Sequence, residues 1–257
     1  MIYIVQAGNR DIEISGYMAK DIFRFKQFSI RHDKSAMKVG TDGVLIGAWC
    51  NVEAAENALD IGTGCGLIAI MLAQRNSGCH IDAVEIDEAS GIQAEENVNK
   101  CPWSNRITVH RTSFQQFYYR KANKYDLIVS NPPYFQNSLS NPNREKSIAR
   151  HAGSLPMKEL ITGVKKLLKE NGKFCMIMPV AEAQIFMDKA RESGLYCRRL
   201  TSVLPNPGKP PKRYLMEFRK TEGEIKQTEL IIELEKRHKY SDGFKKLTGD
   251  FYLYFRY

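Results

Sequence analysis

A chain of 257 residues is long enough for one or two domains at roughly 150 residues each, and 43% hydrophobic with 26% charged residues is ordinary globular usage that excludes wholesale disorder. Its longest apolar runs, such as residues 67–73, fall far short of the ~18 residues of a membrane span. Lys and Arg number 38 against 29 Asp and Glu, and the net charge of +9 fits a polyanion-facing surface as well as a merely solvated basic one.

Residues 1–20 alternate Ile2, Ile4, Ile12 and Ile14 around Gly8-Asn9 without a continuous apolar stretch, so no secretory leader is expected and the protein is expected in the cytoplasm. Basic residues then gather between 20 and 38 (Lys20, Arg24, Lys26, Arg31, Lys34, Lys38). From residue 58, short β-branched apolar runs at 58–61, 80–86, 107–111, 125–130 and 173–178 alternate with helix-period segments at 67–75, 88–100, 157–170 and 181–193. The third helix is expected to open after Pro156 and to close at Asn171-Gly172. This alternation predicts βαβ units and an α/β fold with a doubly wound, mainly parallel sheet.

After Gly194, residues 195–204 and 214–218 read as a hairpin joined by Pro205-Asn206-Pro207-Gly208-Lys209-Pro210-Pro211, an antiparallel edge for a sheet of seven strands. A second basic concentration lies here, at 198–220. Residues 229–235 could add one more strand, and 240–257 form an aromatic-rich tail. The expected organisation is an extension and lid segment over 1–50, packed on a core domain over 51–257. Six cysteines (Cys50, Cys65, Cys79, Cys101, Cys175, Cys197) show no CxxC pair and no nearby His in ligand spacing, so they read as reduced, mostly buried thiols rather than metal ligands.

The first strand of the alternation runs into Asp60-Ile61-Gly62-Thr63-Gly64-Cys65-Gly66, whose glycines permit a tight turn and let a ligand lie against the backbone. The spacing is GxGxG, unlike the GxGxxG of nicotinamide and flavin proteins, and no GK[ST] follows. At the end of the next strand Glu85 stands nineteen positions beyond Gly66, where doubly wound folds place a carboxylate for ribose hydroxyls. Loop and acid together predict a nucleoside cofactor without a pyrophosphate. The segment from Asp60 to Gly66, with Glu85, resembles the first two motifs of the class I S-adenosylmethionine-dependent methyltransferases. That resemblance implies S-adenosylmethionine as cofactor, Asp60 near its ammonium group and Glu85 on its ribose. Where such proteins often carry an acid after the third strand, this chain has Thr112-Ser113-Phe114.

The fourth strand of the alternation ends in Ser130-Asn131-Pro132-Pro133-Tyr134, at the sheet edge where open α/β folds hold ligands. Taken alone, this could be a Pro-Pro turn with an Asn cap and a buried Tyr. At this place, however, it suits methylation of a conjugated amine. The Asn131 side-chain oxygen and the Pro132 carbonyl can accept the amine's two hydrogens and favour a pyramidal nitrogen, while Tyr134 offers a face for stacking a planar base. No cysteine accompanies the turn, so nitrogen is the expected acceptor.

NPPY is shared by methyltransferases of adenine amines in DNA and RNA, of guanine amines in ribosomal RNA, and of glutamine in release factors. Residues 23–28 (Phe23-Arg24-Phe25-Lys26-Gln27-Phe28) and 37–49, through NPPY-Phe135 to the Pro-rich basic hairpin, resemble the bacterial tRNA(Val)-specific adenine-37 N6-methyltransferases. The resemblance implies a tRNA partner, with no membrane and no obligate protein partner. It implies catalytic residues Asn131, Pro132, Pro133 and Tyr134, and cofactor contacts at Lys38, Thr41, Asp42, Asp60, Gly62, Gly64, Gly66, Glu85, Ile86, Ser113 and Asn131. Substrate contacts are expected at Phe135, Arg144, Arg150, His151, Lys209, Lys212 and Arg213. Thr41 or Asp42 could equally cap a helix over 44–49, and the polar segment 136–153 reads as a flap that orders on RNA. The alternatives are a ribosomal guanine or a release-factor glutamine as acceptor, or a non-catalytic RNA-binding module.

Overall fold

The computed structural model describes residues 21–35, 37–122, 124–132 and 155–255. A small antiparallel pair, β1 (Ile22–Arg24) and β2 (Ser29–Arg31), precedes α1 (Thr41–Trp49). The alternation follows: β3 (Asn57–Ile61), α2 (Leu67–Arg75), β4 (His80–Glu85), α3 (Glu88–Lys100), β5 (Ile107–Arg111), α4 (Phe114–Arg120), β6 (Tyr125–Ser130), α5 (Met157–Leu167), β7 (Leu168–Pro179) and α6 (Val180–Glu192). β8 (Tyr196–Leu204), β9 (Arg213–Arg219), β10 (Lys226–Ile231) and α7 (Asp242–Thr248) complete it.

Eight strands form one sheet in the order β10-β8-β9-β7-β6-β3-β4-β5. The expected doubly wound sheet of seven strands with its antiparallel hairpin is present, and β10 extends it by one, parallel to β8. Among these strands only β9 runs against the others. The central strands β3 and β6 are buried along nearly their whole length because both faces are covered. Alternate residues feed opposite cores: Ala58, Leu127 and Val129 pack with α1 and α2, while Leu59 and Ile128 pack with α4, α5 and α6.

Two local expectations are corrected. The helix expected over 157–170 ends at Leu167, and β7 starts at once. Tyr125 pairs with Leu168 but Leu127 with Lys173, so residues 169–172 bulge out of the ladder instead of closing a helix. Gly172 sits where an added Cβ would lie 2.9 Å from the Tyr125 carbonyl oxygen, which is why a glycine is needed there. The strand expected over 229–235 forms earlier, at Lys226–Ile231. The aromatic tail carries α7 and joins the N-terminal hairpin: Phe25 stacks on Phe28 at 4.6 Å and on Tyr252 at 6.0 Å, and Phe244 on Tyr252 at 6.2 Å. Such pairs each contribute about 0.5 to 1.5 kcal/mol beyond burial, and the Lys26 amide donates to the Phe251 carbonyl at 2.8 Å, closing the seam.

All six cysteines are free and five are buried. Burial pushes the thiols of Cys50, Cys65 and Cys197 up to about 12, far from reactive thiolates. Among the described residues no helix is long and apolar enough to cross a membrane.

Candidate active site

β3 carries Asp60 to the sheet's carboxyl edge, where it is fully buried. Its Oδ2 accepts from the Thr63 hydroxyl at 2.5 Å and from the Ala69 amide in the first turn of α2 at 3.2 Å. Its Oδ1, also buried, has no partner among the described residues. Loss of water raises this carboxyl to about 7, with the nearby Glu85 charge adding to the rise, while the Thr63 and Ala69 hydrogen bonds pull the other way. A buried acceptor left open in this way suits a cationic donor.

The loop after β3 turns through Gly62, Gly64 and Gly66 at φ 71°, 56° and 86°, a region that side chains other than glycine seldom enter. The Gly62 and Thr63 amides donate to the Val84 carbonyl at 2.9 and 3.1 Å, tying the loop to β4. A Cβ at Gly62 would meet no atom within 4 Å, so space lies open over the turn. At the end of β4, Glu85 closes the loop from the other side. Its Oε2 accepts from the Gly64 amide at 2.8 Å and its Oε1 from the Asp87 amide at 2.9 Å. Each carboxylate oxygen keeps a further lone pair, enough for two ribose hydroxyls. Ile86 beside it is 51% exposed, an apolar surface at the loop's rim. Ser113 caps α4 by accepting from the Gln116 amide at 3.2 Å, so part of its hydrogen-bonding capacity is engaged there.

Ser130 pairs with Ile61 in register, and its hydroxyl donates to the Ile61 carbonyl at 2.9 Å. The next residues, half-buried Asn131 and buried Pro132, therefore leave the sheet beside the glycine loop, one strand spacing of about 4.8 Å away. Pro133, Tyr134, Phe135, Arg144, Arg150 and His151, and the expected flap over 136–153, lie outside the described residues.

Lys38, Thr41 and Asp42 sit at the entry to α1, with Lys38 exposed. The expected helix cap is corrected: α1 starts at Thr41, its N-cap is Gly40, and no side chain caps it. Asp42 instead pairs with Arg213 Nε at 2.8 Å, joining α1 to the start of β9. Sequence reasoning missed what holds this segment to the site. Gln93 and Asn97, buried one turn apart on α3, accept from the Ser35 and Arg31 amides at 2.9 Å each. Asn97 also donates to the Cys65 carbonyl of the glycine loop at 2.8 Å. The signal was two amides at i and i+4 on one helix face, legible only once that face is known to be covered.

Several cations of the two basic segments are engaged within the fold. Arg31 pairs with Asp33 at 3.3 Å and Lys34 with Glu96 at 2.7 Å. Arg198 donates to the carbonyls of Thr221, Glu222 and Glu224. Arg199 and Arg219 share the buried Glu217, and Lys220 reaches Glu170. Lys209 and Lys212 are exposed and make no ion pair among the described residues.

Comparison with known proteins adds the lineage. Residues 39–188 match the methyltransferase small domain, a span that holds the glycine loop, Glu85 and Asn131. The chain is 48% identical to a tRNA1(Val) (adenine(37)-N6)-methyltransferase of Bacteroides thetaiotaomicron, over 93% of this chain and 100% of that protein. It is 41% identical to a protein of the same name from Klebsiella pneumoniae, over 90% and 95%. Among solved structures, a predicted O-methyltransferase from Agrobacterium tumefaciens superposes with a TM-score of 0.63 at 15% identity, over 82% of this chain and 96% of that one, a likeness of fold.

Proposed function

This chain belongs to the methyltransferase small-domain family and, within it, to the tRNA1(Val) (adenine(37)-N6)-methyltransferases, and from that premise we propose that it methylates the exocyclic N6 amine of adenine 37 in the anticodon loop of tRNA(Val), acting in the cytoplasm. Bound S-adenosylmethionine supplies an electrophilic methyl on a sulfonium. The residues present suit that group. Asp60 Oδ1, buried and without a described partner, accepts from the methionyl ammonium. Glu85 accepts the ribose hydroxyls while it holds Gly64 and Asp87. The open space over Gly62 leaves the backbone approachable.

The observation that carries the assignment is the Ile61 to Ser130 register, which sets Asn131 and Pro132 beside the glycine loop. An adenine amine is a weak nucleophile because its lone pair is delocalised into the ring. The Asn131 side-chain oxygen and the Pro132 carbonyl accept its two hydrogens, so the nitrogen turns pyramidal and its lone pair is freed for in-line attack. With the methyl donor bound, the amine would take the methyl as the donor's C–S bond breaks, and the methylated nitrogen would lose its extra proton to water without a strong base. Tyr134 stacks the extruded base.

The test is methyl transfer to a tRNA(Val) transcript, followed by nucleoside mass spectrometry. N6-methyladenosine at position 37 is expected, and tRNA should outcompete a release factor offered in the same reaction. A methylated release factor with unmodified tRNA would refute the assignment.

A further inference from the structure

The part of the chain beyond residue 188 lies outside the methyltransferase small-domain match, and it carries a basic cluster that the charge distribution along the sequence did not single out. Lys236, Arg237, His238 and Lys239 follow one another in a turn after β10. The Leu234 amide donates to the Lys239 carbonyl at 2.7 Å, the Lys239 amide to the Lys236 carbonyl at 3.1 Å, and Glu233 bridges to Tyr240. His238 holds φ 66°, a left-handed conformation uncommon outside glycine. Its amide donates to Glu233 Oε1 at 3.2 Å, so that carboxylate is engaged in closing the turn. Residues 234–239 are exposed, and Lys236, Arg237 and Lys239 make no ion pair among the described residues, in contrast to Arg199 of β8 and Arg219 of β9, which share Glu217.

Topology brings this turn to the catalytic edge. β10 runs parallel to β8, and both run with β3 to β7, so their carboxyl ends lie along the edge that holds Asn131. The two loops leaving that edge are tied together: the Ile232 amide donates to the Leu204 carbonyl at 2.9 Å, the Glu233 amide to Pro205 at 3.0 Å, and Asn206 Nδ2 to Leu234 at 3.2 Å. Lys209 and Lys212 on one loop and Lys236, Arg237 and Lys239 on the other thus make one basic corner. In the sheet order, β10 stands four strand spacings from β6, which is about 19 Å at about 4.8 Å each.

We infer that the turn bearing Lys236, Arg237 and Lys239 is a phosphate-binding finger that grips the RNA backbone roughly 20 Å from the target base, so that it positions the substrate without reading its sequence. The inference rests on the tRNA reading above. A row of exposed cations held on a closed turn, flush with the catalytic edge and set at a distance from it, fits a ribose-phosphate backbone extending away from an extruded base.

The experiment compares the full chain with its Lys236→Ala/Arg237→Ala/Lys239→Ala variant, using a tRNA(Val) transcript. Three lost phosphate contacts should flatten the plot of log Kd against log salt by about 2 to 3 units. The same loss should raise the KM for tRNA by roughly 10- to 100-fold at 0.1 M salt. Turnover at saturating tRNA and the affinity for S-adenosylmethionine should stay as in the wild type, and a Lys236→Arg/Lys239→Arg variant should bind normally. A folded triple-alanine variant with unchanged KM and salt slope would overturn the inference, and so would a loss confined to kcat. Capture of a protein partner by the wild type but not by the variant, with tRNA binding unaltered, would assign the turn to that partner instead. A wild-type chain that leaves tRNA unmethylated would sink the tRNA reading, and this inference with it.

Discussion

Replacing Glu85 with alanine removes one carboxylate from two tasks. Its oxygens accept from the Gly64 and Asp87 amides at 2.8 and 2.9 Å, and the same oxygens are proposed to accept the ribose hydroxyls. Hydrogen bonds to a charged acceptor contribute about 1.5 to 3 kcal/mol each, and part of that is recovered when water reaches the freed donors. Glu85 is only 8% exposed, so water reaches the freed amides poorly, and a net loss of about 2 kcal/mol of folding stability is expected. For a chain of this size that lowers the melting temperature by roughly 4 to 8 °C. Loss of the ribose contacts should weaken S-adenosylmethionine binding by a further ~1 to 3 kcal/mol, or roughly 5- to 150-fold in Kd. Glu85→Gln keeps the shape and one acceptor oxygen, so it should recover at least half of the lost stability while binding the cofactor weakly. Calorimetric titration and thermal melting of both variants separate the two tasks. A folded Glu85→Ala protein that binds S-adenosylmethionine as tightly as wild type would refute the placement of the ribose.

Asn131→Ala should slow methyl transfer by on the order of 10²-fold or more in single-turnover assays while changing cofactor affinity far less, because it removes the acceptor proposed for the transition state and spares the glycine loop. Burial lifts the Asp60 carboxyl to about 7, so the native chain retains a proton that the unfolded chain releases near pH 4. Stability from this group is full below that pH and is lost as pH rises through about 7; Asp60→Asn should flatten the decline in melting temperature between pH 5 and 8. If the proposed pairing of the cofactor ammonium with the ionised Asp60 carboxylate holds, S-adenosylmethionine affinity should rise roughly 25-fold from pH 5.5 to 7.5 in the wild type, and equal affinities at both pH values would count against the Asp60 contact. Lys209→Ala with Lys212→Ala should flatten the salt dependence of tRNA binding by about two units, measured by fluorescence anisotropy.

The parts of this protein legible in its sequence rest on local rules. Glycines at 62, 64 and 66 announce a turn that only they adopt cheaply, and they do adopt positive φ. Glu85 and Asn131 fall at strand ends because the apolar runs that precede them have the length and β-branched content of buried parallel strands. α4 was not legible. Phe114–Arg120 is short and aromatic, and its helical form depends on the Ser113 cap and on α5, where Gly163 leaves room for the Phe114 and Tyr118 rings. The bulge at 169–172 was hidden for a similar reason, since it is imposed by pairing with β6.

Charge shows the division most clearly. Counting cations along the chain pointed to 20–38 and 198–220, yet a cation is freer to bind phosphate where no acid already pairs with it, and that acid can come from anywhere in the chain. Arg213 lies against Asp42, 171 positions away in sequence, and Lys34 against Glu96, 62 positions away. Lys236, Arg237 and Lys239 stand between Glu233 and Glu235 on one side and Tyr240 on the other in sequence, yet they form no ion pair among the described residues. Residue order decided that this chain would turn through a glycine loop after β3 and would carry Glu85 and Asn131 at the ends of buried strands. Which of its many positive charges remain available to RNA was decided by the tertiary structure, because Coulomb attraction depends on separation in space and chain connectivity places no limit on which residues meet.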